Sequence, residues 1–150
     1  DPPPYASLGA EKVRFAAYTH IFYSILDTLE LCQFVWGPAW TLYGPSEMVE
    51  LVRAVTGWQV SLYELMKVGE RRLNMLRWFN AREGFSRKDD RLPAKFFIPL
   101  QGEGPTAGVA IDPQQFEAAL DLYYHLLGWT PDGIPSRASL ANVGLEWLAE

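Results

Sequence analysis

Apolar residues recur at helical spacing in three long segments of this chain. The first runs from Glu11 to about Phe34, the second follows Ser61 and runs to about Glu83, and the third begins at Asp112-Pro113 and ends at Gly128. Apolar side chains three or four positions apart share one face of a helix, whereas a strand needs alternation. The pattern therefore predicts an all-α fold, with its core between helix faces.

Residues that start and stop helices mark the ends of these segments. Ser61 and Glu64 form a capping-box pattern, and Gly84 follows the second segment. Shorter helices are expected to begin at Ser46 and Ser136. Residues 85–111 lack a helical period and contain several glycines, which predicts a long ordered loop. We expect an irregular domain of about four to six helices, a single helical domain over residues 1–150.

The first predicted helix is apolar on nearly every side. Val13 and Ile21 lie on one apolar stripe, and Phe15, Tyr18 and Phe22 lie on another. A helix with apolar residues all round is typical of a buried position. The six Trp residues and the 14% aromatic content also indicate apolar surface meant for another domain or subunit. The chain begins at Asp1 rather than at Met, and we expect it to be a piece of a longer protein.

Composition excludes several classes of protein. The longest uncharged apolar-rich stretch, Phe15 to Leu26, is well short of the ~20 residues that a membrane span needs. Cys32 is the only cysteine, which rules out a disulfide framework and favours a reducing cytoplasm. We therefore expect a cytoplasmic protein that does not bind a membrane.

Positive charge is concentrated in residues 67–95, which hold nine Lys or Arg and four Asp or Glu, although the chain carries a net charge of −5. Such a segment suits phosphate or nucleic acid, or a helix face with ion pairs to another domain. The interleaved acids and a pI near 5.0 favour the second interpretation, and we expect no nucleic-acid partner.

Few residues indicate catalytic chemistry directly. His20 lies in the apolar first helix, where it is either a core histidine satisfied by a hydrogen bond or part of a substrate cavity. No Ser/His/Asp or Cys/His arrangement can be assigned from spacing, so the catalytic residues stay unknown. Cys32 is either an ordinary buried thiol or one ligand of a site completed by residues outside this chain. Asp27 and Cys32 can contact the same ligand only if the helix ends or unwinds between them.

Asp27-x-x-x-Leu31-Cys32 resembles the second pterin-binding motif of the tungsten-containing aldehyde:ferredoxin oxidoreductases. The resemblance continues in order along the chain. It is carried by GERRLN at 69–74, FNAREGFSRKDDRLP at 79–93, DLYYHLLGW at 121–129 and DGIP at 132–135.

This resemblance implies that the chain is the C-terminal, helical part of a larger enzyme that oxidises an aldehyde to a carboxylic acid. In that family two pterins hold one tungsten (or molybdenum), beside a 4Fe-4S cluster that passes electrons to ferredoxin. It further implies that Cys32 is the fourth cluster ligand and that Asp27 hydrogen-bonds a pterin lined by Thr28 and Leu31. Because the other cluster ligands lie elsewhere, neither tungsten nor an intact cluster is expected on this chain alone.

Glu30 departs from the family pattern, which usually has Gly at that place. If the backbone there needs a positive φ, glutamate costs on the order of 1 kcal/mol. Alternatively the turn is reshaped, or Glu30 adds a carboxylate near the pterin. The implied partners are the N-terminal domains of the same enzyme, ferredoxin and the aldehyde substrate. The alternative function is a helical interaction module that docks an acidic partner.

Overall fold

The computed structural model describes residues 7–36 and 42–149 and is built from helices. Within those residues it has six α-helices, three short 3₁₀ turns and no strand; the one β-bridge joins Trp129 and Pro135. This confirms the predicted all-α fold and the helix number. The α-helices are α1 (Ala10–Thr28), α2 (Gln33–Trp36), α3 (Pro45–Thr56), α4 (Leu62–Arg82), α5 (Pro113–Leu127) and α6 (Arg137–Ala141).

The predicted capping residues of α4 and α5 act as caps. The Ser61 hydroxyl accepts a hydrogen bond from the Glu64 amide at 3.3 Å, and Glu64 accepts one from the Ser61 amide at 2.7 Å. Asp112 accepts hydrogen bonds from the Gln114 and Gln115 amides at the start of α5. These contacts satisfy amides that have no partner within the helix.

Two predicted boundaries are wrong. The N-cap of α3 is Gly44, two positions before the predicted cap Ser46, and the helix begins at Pro45 because proline suits the first helical position. The α1 helix ends at Thr28, well before the predicted Phe34. Its apolar pattern continues past the point where the backbone turns, so periodicity alone extended the helix too far.

The α1 helix is also less buried than its composition indicates. Ala17, Phe22 and Ile25 are buried, but Phe15 and Tyr18 are each 60% exposed. One face of α1 therefore packs inside this chain, while the other presents aromatic surface.

The backbones of α1 and α4 approach each other closely at Gly69. A Cβ at Gly69 would lie 2.2 Å from the backbone oxygen of Ile21 and 2.8 Å from Cγ1 of Ile25, which no real side chain tolerates. Glycine thus lets the two backbones approach each other. Three residues along α4, Arg72 reaches Ser24 and Asp27 on α1. The Gly69 contact consequently fixes what faces the C-terminal end of α1.

Buried residues form three clusters along the chain. One lies between α1, α3 and the start of α4, the second between α4, α5 and Trp129, and the third around Leu140. Asn74 is fully buried and accepts a hydrogen bond from the Trp129 indole at 2.8 Å, while its amide donates to the Glu70 carbonyl at 2.9 Å. Both ends of this polar side chain are satisfied inside the core, as buried polar groups require.

The segment between α4 and α5 is held by charged side chains. Arg77 forms two hydrogen bonds to Asp90, which also accepts one from the Tyr124 hydroxyl. Arg87 reaches across to Glu117 and Asp121 on α5. These contacts agree with the predicted ordered loop. They also place ion pairs of the basic segment within this chain rather than toward another domain.

Neither α1 nor α4, nor any shorter helix in residues 7–36 and 42–149, has the length and hydropathy needed to cross a membrane.

The Gly69 contact predicts the sign of a substitution. Alanine normally stabilises a helix interior by about 1 kcal/mol relative to glycine. Gly69→Ala should instead lower the free energy of unfolding by roughly 1–3 kcal/mol, because the methyl group overpacks the α1–α4 contact. Urea unfolding followed by circular dichroism measures this. Gly104→Ala, whose added methyl group meets open space, is the control. An equally or more stable Gly69→Ala variant would contradict the predicted contact.

Candidate functional site

The turn after α1 is built from two backbone hydrogen bonds. The Leu31 amide donates to the Leu26 carbonyl at 2.9 Å, and the Glu30 amide donates to the Asp27 carbonyl at 3.4 Å. This pair is the Schellman pattern, which ends a helix by placing one residue in the left-handed region. Here that residue is Glu30, with φ of 56°. The turn thus satisfies carbonyls of the last helical turn and reverses the chain just before Cys32.

Glu30 is the only non-glycine residue with a positive φ among residues 7–36 and 42–149. Glycine is usual at this position of a Schellman turn, because a Cβ clashes with the backbone there. The backbone at Glu30 thus has the positive φ that the sequence analysis considered for this position, and it is strained.

Asp27 lies at the start of this turn, and its carboxylate has two partners. Oδ1 accepts a hydrogen bond from the Gln33 side chain at 2.7 Å, and Oδ2 pairs with Arg72 at 3.1 Å. The Gln33 contact shows that the chain folds back toward Asp27 after the turn. A carboxylate accepts about four hydrogen bonds, so Asp27 keeps capacity for a further donor.

Cys32 is exposed, and it carries a free thiol. Its backbone carbonyl accepts hydrogen bonds from the Val35 and Trp36 amides at 3.0 and 3.2 Å, which starts α2. Of the two alternatives for this residue, the ordinary buried thiol does not describe its position. Within the described ranges 7–36 and 42–149, no cluster of three or more His, Cys, Asp or Glu side chains could hold a metal.

Thr28 and Leu31 complete the predicted site. The Thr28 hydroxyl donates to the Ser24 carbonyl at 2.8 Å, and Leu31 packs against the core cluster under α1. Both residues also line an apolar cavity of about 480 Å³ that reaches Trp58 and Val60. The predicted residues Asp27, Thr28, Glu30, Leu31 and Cys32 thus form one continuous turn at the end of α1.

A second cluster of polar residues lies between α1, α4 and α5. His20 Nδ1 is 2.5 Å from the Tyr123 hydroxyl, which satisfies the histidine as one interpretation of the sequence predicted. Nearby, the Arg77 and Asp90 side chains pair across 13 positions. Although burial opposes ionisation, hydrogen bonds from Arg77 and Tyr124 keep the pKa of Asp90 below its ordinary value. Sequence reasoning missed this cluster apart from His20, since no motif spacing links its members.

A family model described as "Aldehyde ferredoxin oxidoreductase, domains 2 & 3" matches residues 1–145. The chain belongs to the aldehyde ferredoxin oxidoreductase family. It is 32% identical over 141 residues to the tungsten-containing aldehyde ferredoxin oxidoreductase of Pyrococcus horikoshii, and 29% identical over 137 residues to that of Pyrococcus furiosus. These alignments cover 93% and 90% of the chain but only 22% and 21% of the two relatives, so the chain spans about a fifth of their length.

A solved structure supports the fold of this family member. It is described as the active site complex BamBC of benzoyl coenzyme A reductase with 1,5-dienoyl-CoA. The TM-score is 0.75 at 23% identity, and the match covers 99% of this chain and 22% of that one. At this identity the likeness shows a shared helical fold.

Strain at Glu30 predicts a stabilising substitution. Glu30→Gly should raise the free energy of unfolding by roughly 0.5–1 kcal/mol, because relief of the left-handed strain outweighs the greater freedom of glycine in the unfolded chain. Glu30→Ala is the matched control, since it removes the carboxylate but keeps the Cβ and should change stability little. Chemical denaturation at neutral pH measures both. A Gly variant no more stable than the Ala variant would show that the turn is unstrained.

The Asp90 cluster predicts a dependence of stability on pH. Because the pKa of Asp90 is lowered in the folded chain, its stabilisation is present above the unfolded pKa and is lost as pH falls through the folded pKa. The free energy of unfolding should thus decline below about pH 4. Asp90→Asn should be less stable at pH 7 and show a shallower decline, whereas exposed Asp132→Asn should follow the unaltered chain. Parallel pH curves for Asp90→Asn and the unaltered chain would contradict this assignment.

Proposed function

We propose that this chain is the C-terminal helical part of a tungsten-pterin enzyme that oxidises an aldehyde to a carboxylic acid and passes electrons to ferredoxin. Cys32 would be the fourth ligand of a 4Fe-4S cluster, and Asp27 would accept hydrogen bonds from the pterin. The observation that carries the proposal is the turn itself. It leaves the thiol of Cys32 exposed two positions after the strained Glu30, on a segment that folds back toward Asp27.

The residues of the turn fit the groups that they would hold. Iron–sulfur clusters are held by cysteine thiolates, and an exposed thiol can reach a cluster whose other ligands come from elsewhere. A carboxylate is a pure acceptor when ionised, which suits the amino and ring N–H groups of a pterin. The ion pair with Arg72 holds the Asp27 side chain in its orientation. When bound, the metal and its pterins would supply the two-electron oxidation, and the cluster would carry the electrons away.

The chain's own part in that reaction is to position groups rather than to transform the substrate. The α1–α4 contact holds the end of α1, the Schellman turn sets the direction of the following residues, and the Cys32 carbonyl accepts the first hydrogen bonds of α2. Electron transfer depends on this placement, because hydrogen bonds and backbone contacts around a cluster tune its reduction potential and orient its ligands.

The remaining features of the proposal concern the whole enzyme. Its other domains would provide the first pterin site and the remaining cluster ligands. Ferredoxin would be the electron acceptor, the location would be the cytoplasm, and residues 1–150 would act as one helical domain, because α1 packs against both α4 and α5.

The alternative of a module that docks an acidic partner has less support. Lys67, Arg72, Arg77 and Arg87 all form ion pairs within this chain, and Arg71 donates to the Val143 carbonyl at 2.6 Å. Four of the nine Lys or Arg side chains of residues 67–95 are thus paired with carboxylates of this chain, and these four are less available to an acidic partner.

Replacement of the thiol tests the proposal in the full-length enzyme. Cys32→Ala should lower the iron content and abolish or change the electron paramagnetic resonance spectrum of the reduced cluster, because one of its ligands is missing. Ser46→Ala, on the exposed surface of α3, should leave both unchanged. Unaltered iron content together with an unaltered cluster spectrum in Cys32→Ala would rule out ligation by this residue.

A further inference from the structure

The two oxygens of the Asp27 carboxylate are held by side chains from different parts of the chain. Oδ1 accepts a hydrogen bond from the Gln33 side chain at 2.7 Å, and Oδ2 pairs with Nη1 of Arg72 at 3.1 Å. Gln33 begins α2, after the turn, whereas Arg72 lies on α4. A guanidinium and an amide nitrogen only donate, and an ionised carboxylate only accepts, so chemistry fixes the direction of both contacts. Because the donors hold different oxygens, the carboxylate cannot rotate without breaking one of these contacts.

The Arg72 guanidinium is itself held against α1. The same Nη1 atom donates to the Ser24 hydroxyl at 3.4 Å, and Ser24 is only 4% exposed. Gly69, three positions earlier on α4, is where the backbones of the two helices approach each other. Residues three positions apart lie on one face of a helix. The backbone contact therefore sets the position from which Arg72 reaches Asp27.

The ion pair contributes little to the stability of the fold. The Arg72 and Asp27 side chains are 36% and 38% exposed, and pairs near the surface usually contribute no more than about 1 kcal/mol. Its clearest effect is on the orientation of the carboxylate. Loss of the pair should accordingly leave the helices folded, so that a role at the site can be measured separately from folding.

The two contacts leave the Asp27 carboxylate able to bind a ligand. An ionised carboxylate accepts about four hydrogen bonds, and Gln33 and Arg72 each take one position on a different oxygen. The remaining lone pairs point in directions that the two donors have already fixed. An acceptor that is oriented before a ligand arrives binds it more tightly, because less conformational freedom is lost on binding.

We propose that Arg72 and Gln33 are positioning residues of the pterin site, which act by holding the Asp27 carboxylate in the orientation that accepts pterin N–H groups. The inference rests on the proposed function, because it requires Asp27 to contact the pterin. It adds to that function one residue from α4 and one from α2. Loss of either donor should weaken the hold on the pterin while leaving the cluster ligand Cys32 in place.

The rate at which full-length variants release their pterin on heating tests this inference. Released pterin is measured by the fluorescence of its oxidised form, and iron by elemental analysis. Arg72→Gln should release pterin roughly tenfold faster, the loss expected for one charge-assisted hydrogen bond, with an unchanged starting iron content. Arg72→Lys keeps a cationic donor for the single contact with Oδ2 and should restore most of the retention. Gln33→Leu should release pterin several-fold faster.

Lys67→Gln is the matched control. It removes an ion pair to Glu70 at 2.7 Å on the same helix, and that pair involves no residue of the turn after α1. This variant should release its pterin at the rate of the unaltered enzyme. Faster release from Lys67→Gln, equal to that from Arg72→Gln, would overturn the inference, because any ion pair on α4 would then have the same effect.

Combination with Asp27→Asn separates positioning from a general loss of structure. Asp27→Asn should itself speed pterin release, and adding Arg72→Gln to it should have a much smaller effect than in the unaltered enzyme, because Arg72 acts through the carboxylate. An equal effect in both backgrounds would overturn the inference. Where Arg72→Gln does not fold, Gln33→Leu decides the question by the same comparison.

Two results distinguish failure of the inference from failure of the proposed function. If the unaltered full-length enzyme holds no pterin, or if Asp27→Asn releases it at the unaltered rate, the proposed role of Asp27 fails and the inference fails with it. If Asp27→Asn releases pterin faster but Arg72→Gln and Gln33→Leu do not, only the inference is overturned.

Discussion

The contact between the backbones of α1 and α4 at Gly69 determines where the functional elements of this chain lie. Among the glycines of residues 7–36 and 42–149, it is the one at which an added Cβ would lie within 3 Å of a backbone atom. The helix spacing set there brings Arg72 against Ser24 and Asp27, one turn of α4 further along. It also buries Leu73 in the cluster that contains Trp129. Both the turn after α1 and the polar cluster around His20 therefore depend on the same interhelical distance.

Strain at the end of α1 is consistent with a functional role for the turn. Natural proteins tolerate a left-handed non-glycine residue only when the surroundings hold it, and such residues concentrate at functional sites. Here the holding contacts are the Leu31–Leu26 hydrogen bond and the packing of Leu31 on the core. The turn directs the chain so that Cys32 is exposed at the end of α1 that carries Asp27. Glu30 takes the left-handed position that glycine usually occupies in such a turn, which makes the turn costly.

The sequence predicted local features of the fold better than it predicted contacts between distant residues. The caps Ser61 and Asp112 were predictable because their partners lie within three residues. The end of α1 was not, since apolar residues continue at helical spacing while backbone bonds already form the turn. The His20–Tyr123 hydrogen bond spans 103 positions, and spacing carries no information about such a pair. The turn was recognisable only because its residues resemble a motif of the aldehyde ferredoxin oxidoreductase family.

Iron-edge anomalous diffraction from crystals of the full-length enzyme tests the central claim most directly. We expect Sγ of Cys32 to be bonded to one iron of a four-iron cluster, with Asp27 on the same side and in contact with a pterin. A cluster whose four ligands all come from other segments, with Cys32 free in solvent, would contradict it.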